Sequence, residues 1–69
     1  MKINFEFNGK KTFVTVREWK KHGLHRMYIQ DDRSKPYGHI DMATGVFHWK
    51  ENVSKGYLAA AEKAIRATI

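Results

Sequence analysis

The chain contains no cysteine, which excludes a disulfide framework and a cysteine-based zinc site as staples of the fold. Absence of cysteine also fits a reducing compartment. Proline occurs once and acidic residues are scarce: seven Asp/Glu stand against thirteen Lys/Arg, for a net charge of +6 and an isoelectric point near 9.8. No run approaches the roughly 18 apolar residues of a membrane span, and the N-terminus has no signal-peptide hydrophobic region. The longest weakly polar run, GYLAAA, is far too short. The expectation is a cytoplasmic protein with no membrane partner. With 69 residues it forms one small domain, 1-69, near the lower limit for a self-sufficient core. Modest stability, or a dimer, is expected of it.

What is present is a succession of short periodic segments. Ile3, Phe5 and Phe7 alternate with Lys2, Asn4 and Glu6, the period-two pattern of a half-buried strand. Asn8-Gly9 marks a hairpin, because both residues tolerate positive φ. A two-residue turn there sets Ile3 opposite Val14 and Phe5 opposite Thr12. Lys20 to Gly23 reads as the next reversal. Taken as a four-residue loop, it places Trp19 opposite Leu24, Val16 opposite Met27 and Val14 opposite Ile29. The polar loop DDRSKP closes a third hairpin that pairs Ile29 with Gly38 and Met27 with Ile40. In DMATG, Asp41 caps the turn through its side chain, and Ile40 then faces Phe47 while Gly38 faces Trp49. The missing Cβ of Gly38 leaves room for the indole.

These turns agree on one apolar face, which defines an antiparallel five-stranded meander with strands at 2-8, 11-19, 24-30, 37-41 and 46-49. The tail is helical over about 54-68. Asn52 or Ser54 supplies the N-cap, Leu58, Ala61 and Ile65 form the buried stripe, and Lys55, Glu62, Lys63 and Arg66 are left for solvent. Gly56 in the first turn lowers propensity and delays the helix start. The fold class is α+β, with the helix packed on one face of the sheet.

The same registers list the opposite face, which no segment remains to cover. Strand two gives it Lys11, Phe13, Thr15, Arg17 and Trp19, and strand three Leu24, Arg26, Tyr28 and Gln30. Strands four and five add Tyr37, His39, Asp41 and His48. From Lys10 to Arg26 there are six Lys/Arg and one acid, Glu18. Cations neutralise phosphates, and exposed rings stack on unpaired bases. A strand surface can also meet base edges in a major groove. Arg17 and Arg26 fall directly opposite each other, a repulsive pairing unless Asp41 or a phosphate joins them. The candidate nucleic-acid-binding residues are therefore Lys11, Phe13, Arg17, Trp19, Lys20, Lys21, Arg26 and Tyr28. The second reading assigns the same aromatics to a homodimer or protein-interaction surface, with the charge serving solubility.

Other chemistry finds little purchase. His39 and His48 fall cross-strand near Asp41, but zinc takes three or four ligands and no spaced Cys/His motif is present. His25 reads as a hydrogen-bonded packing residue. The acids form no paired-carboxylate arrangement, and no glycine-rich phosphate loop or nucleophile elbow occurs. The expectation is a non-catalytic binding module without cofactor or metal.

Trp19, Gly23, Arg26, Tyr28, Gly38, Asp41, Thr44 and Gly45 form the pattern W…G..R.Y…G..D..TG over residues 19-45. That pattern resembles the short β-rich segment that accompanies some bacterial nuclease-related (NERD) domain proteins. The nuclease domain itself, with its acidic and lysine motif, lies outside these residues. The resemblance implies a DNA-associated setting with no nuclease activity in this chain. The architecture is also similar to the integrase amino-terminal and AP2-type domains, which lay a three-stranded sheet on DNA with a helix behind; no shared residue motif accompanies that likeness.

Overall fold

The computed structural model describes all residues from Met1 to Ile69. Five strands form one antiparallel sheet in sequential order: β1 (Lys2–Phe7), β2 (Lys10–Lys21), β3 (Leu24–Gln30), β4 (Pro36–Asp41) and β5 (Val46–Trp49). One helix, α1 (Lys55–Thr68), follows. The expected α+β meander is the fold.

Two-residue turns build the first two hairpins. Asn8 and Gly9 have φ of 53° and 74°, and His22 and Gly23 have φ of 52° and 77°. Positive φ at both central residues matches the twist of the flanking strands. The first turn gives the expected pairs Ile3 with Val14 and Phe5 with Thr12. The second corrects the four-residue loop. β2 runs on to Lys21, so Trp19 pairs with Arg26, Val16 with Ile29 and Arg17 with Tyr28. The slip is two residues, an even number, so every side chain keeps its face.

The remaining registers stand as read: Ile29 with Gly38, Met27 with Ile40, Ile40 with Phe47 and Gly38 with Trp49. Asp41 caps its turn, its Oδ1 accepting from Ala43 N at 2.9 Å. The loop between β3 and β4 holds a second such cap. Buried Asp31 accepts from Arg33 N at 2.9 Å and Lys35 N at 2.7 Å. A register irregularity at Ile29/Gln30 pairs Gln30 with Pro36. As a result Tyr37 leaves the helix-free face and packs edge-on against Tyr57 of α1, ring centroids 5.3 Å apart.

Ser54 is the N-cap, and Val53 and Leu58 hold the N′ and N4 positions of a hydrophobic staple. The helix starts at Lys55 despite Gly56, against whose backbone the Phe7 ring lies. Ala61 and Ile65 are the buried residues of α1, and they complete a core with Ile3, Val14, Val16, Met27, Ile29 and Ile40. Leu58 is only half-buried. Glu62 is not simply solvated: its carboxylate accepts from Trp49 Nε1 at 3.4 Å and from Arg66 Nε at 3.3 Å. Arg66 in turn lies over the Phe47 ring, 4.7 Å from its centroid. Phe47 and Trp49 of the edge strand are thus held beneath the helix.

Phe5 and Phe7 also meet Tyr57 edge-on, at 5.6 and 5.5 Å. Burial, with Tyr37, Asp31 and Asp32 nearby, pushes the Tyr57 phenol up to about 12. A raised folded-state value favours the neutral phenol. The associated stability is complete below the ordinary value near 10 and is lost as pH rises through about 12. Ultraviolet titration of the tyrosines should show a last ionisation near that value. Tyr57→Phe should remove it and weaken the alkaline loss of stability; survival of that step in the variant would refute the assignment.

Gly38 marks the closest approach between β4 and β5. A Cβ there would overlap the His48 carbonyl oxygen and lie 3.1 Å from Trp49 Cα. The obstacle is therefore backbone, not the indole. Gly38→Ala should cost about 3 kcal/mol, the upper end for overpacking where the neighbour cannot yield. Urea unfolding measures it, and an unchanged midpoint would show that the two strands can separate freely.

Candidate nucleic-acid interface

Alternation along the paired strands delivers a row of side chains across the helix-free face. Arg17 of β2 pairs with Tyr28 of β3, Tyr28 with His39 of β4, and His39 with His48 of β5. Trp19 and Arg26 pair in the adjoining row. The rings form a continuous ladder. Trp19 meets Tyr28 edge-on at 6.1 Å, Tyr28 meets His39 at 5.8 Å, and His39 stacks on His48 at 4.8 Å with 19° between planes.

Cations border the ladder without acidic partners. Arg26 pairs in register with Asp41, yet no salt bridge joins them; Arg26 Nη1 instead donates to the Tyr28 hydroxyl at 3.4 Å. Asp41 is engaged by its own turn. Among all lysines and arginines, only Arg66 has a carboxylate within 4.0 Å. Arg17 is exposed and Arg26 half-buried. The expected Arg17–Arg26 opposition is corrected by the two-residue turn, which puts a ring opposite each guanidinium. Repulsion gives way to packing of cation stems along aromatic edges.

The other candidate residues divide. Lys21 shares this side at the hairpin tip, by alternation with Trp19. Lys20 does not: it falls on the opposite side with Glu18 and His25, where His25 Nε2 and Glu18 Oε2 are 2.9 Å apart. That hydrogen bond and the nearby Lys20 hold the Glu18 carboxyl below its usual range. Phe13 and Lys11 lie on the right face but roughly 20 and 27 Å along β2 from Trp19, at about 3.4 Å per residue. The Phe13 ring is covered by the Lys2 ammonium, 4.2 Å from its centroid. The sheet therefore brings together Arg17, Trp19, Arg26 and Tyr28, and adds His39 and His48. Those two histidines were legible as a cross-strand pair; weighing them only as metal ligands hid their part in the ladder.

Tyr28 divides two shallow hollows. One, of about 340 Å³, is lined by Arg17, Glu18, Trp19, Tyr28 and Gln30. The second, of about 300 Å³, includes Tyr28, Pro36, His39, His48 and Lys50. The surface offers ring faces and edges, unpaired cations and one amide, a set suited to flat, anionic ligands.

No protein-family model, curated protein or solved structure matches this chain. No helix is long and apolar enough to cross a membrane.

Burial lowers the pKa of His39, aided by the charges of Arg26 and His48 and opposed by Asp41. The folded state thus favours the neutral ring, and the unfolded chain binds more protons as pH drops below the ordinary value near 6.5. The contribution to stability is present above that value and is lost as pH falls through the folded one. NMR titration of the His39 ring should give a midpoint below 6.5, and His48→Ala should move it upward. A midpoint at or above the ordinary value would contradict the packed, neutral stack.

Proposed function

We propose that this chain is a small non-catalytic module that binds nucleic acid, DNA or RNA, through its helix-free sheet face. The observation that carries the reading is the ring ladder Trp19–Tyr28–His39–His48, bordered by Arg17 and Arg26 with no carboxylate within 4.0 Å of either. Guanidinium groups left without acids are free to exchange counterions for phosphates. Lys21 extends the cationic border at the hairpin tip, and Lys11 lies farther along the same face. A DNA-associated role, accessory to a separate nuclease, is what the pattern over residues 19-45 would add.

Self-association is the competing use of this face. Leu24 and Val46, 46% and 49% exposed, are the apolar residues that favour it. A twofold pairing would, however, set one copy's cations against the other's, because the face carries Lys2, Lys11, Arg17, Lys21 and Arg26 against Glu6 and Asp41. Interface cores are depleted in lysine although enriched in arginine and aromatics, so the lysines of this face are what count against it.

The test is binding of labelled oligonucleotides, single- and double-stranded, as a function of salt. Arg17→Ala/Arg26→Ala should weaken binding and reduce the log–log salt slope by about 1.5, two phosphates' worth. Lys20→Ala removes one charge from the opposite side and should leave the slope nearly unchanged. A folded double variant with wild-type affinity and slope would overturn the assignment of this face.

A further inference from the structure

The two hollows on either side of Tyr28 identify the form of nucleic acid, an inference that rests on the proposed binding function. We infer that the face accepts unpaired, single-stranded nucleic acid running across β2 to β5, with successive bases in the two hollows and Tyr28 between them. The hollows are neighbours that share only Tyr28 among their lining residues. Each is lined by aromatic residues and one cation, Arg17 in the first, which Glu18 also lines, and Lys50 in the second. Arg26 stands beside the dividing ring, its Nη1 3.4 Å from the Tyr28 hydroxyl, where the phosphate linking the two bases would pass.

Ring chemistry favours a single strand over a duplex: aromatic side chains such as Trp19 and Tyr28 stack on bases only where the base faces are free. A strand that places one base per hollow must be unstacked, and in a duplex the base faces are already covered. Stacking with charge neutralisation also predicts tolerance of base sequence.

The experiment is fluorescence anisotropy with short labelled oligo(dT), oligo(U) and a hairpin duplex, using wild type, Tyr28→Phe and Tyr28→Leu. Single strands should bind at least about tenfold more tightly than the duplex. Tyr28→Leu should lose about tenfold, the low end of one base–ring stack, while Tyr28→Phe should stay within about twofold. Oligo(dU), which differs from oligo(U) only in the sugar, assigns the sugar by its affinity relative to oligo(U). In the unmodified protein, the Tyr28 ring-proton signals should move upfield on saturation with the single strand, which tests the stack even if Tyr28→Leu does not fold. Equal or tighter binding of the duplex, or unmoved ring signals at saturation, overturns the single-strand inference and leaves nucleic-acid binding standing. Absence of binding to every probe overturns the binding function itself, and this inference with it.

Discussion

One helix has to cover one face of a five-stranded sheet, and most of the architecture follows from that constraint. Ala61 and Ile65 are the residues of α1 that become fully buried. A small side chain beside a branched one lets the helix axis come close to Ile3, Val14, Val16 and Ile29, each 3% exposed or less. Around this contact the aromatic residues do the sealing: Phe5, Phe7 and Tyr37 gather on Tyr57, and Phe47 and Trp49 lie under Glu62 and Arg66. Nothing is left in the chain to cover the other face. That face must be compatible with water and still protect the sheet beneath it.

Rings with polar edges meet both demands. Tyr28, His39 and Trp19 are half-buried and in ring contact with one another, and Arg26 donates to the Tyr28 hydroxyl. A purely structural surface would normally balance such cations with acids, since surface ion pairs cost little and limit self-repulsion. Here four of the seven acids are engaged in other contacts. Asp31 and Asp41 satisfy backbone N–H groups of their own turns, Glu18 holds His25 on the other side, and Glu62 serves the helix. The imbalance is one of placement as well as number, and it leaves Arg17 and Arg26 with no carboxylate within 4.0 Å.

Much of the fold was legible because period-two alternation and turn chemistry reinforce each other. Ile3, Phe5, Val14, Val16, Met27, Ile29 and Ile40 fall on one face in any register that differs by an even number, so the core tolerated the misread β2–β3 loop. The helix-free face did not. Whether Arg17 faces Arg26 or Tyr28 depends on counting two loop residues or four, and His22 gave little sign that it would adopt φ of 52°. The irregularity at Ile29/Gln30, which turns Tyr37 toward the helix, leaves no mark in alternation at all. It arises where the Asp31-capped loop re-enters the sheet, a tertiary condition. Lys20 was grouped with Lys21 by adjacency, although strand geometry sends neighbours to opposite sides.

The His39–His48 pair shows how one geometry excludes some chemistries and admits others. Two cross-strand imidazoles stacked at 4.8 Å turn faces toward each other, whereas shared metal ligation needs nitrogens that converge. A stack of this kind is most stable when both rings are uncharged, and the Arg26 charge on β3 adds to the penalty for protonating His39. An anion laid along the row would reverse that balance, offsetting Arg26 and making a proton on His39 less costly. If the proposed anion binds there, proton affinity and anion affinity would be linked through His39, and by reciprocity each would strengthen the other. The same packing that keeps the ring neutral in the free protein would make the bound state more tolerant of mild acid than the free one.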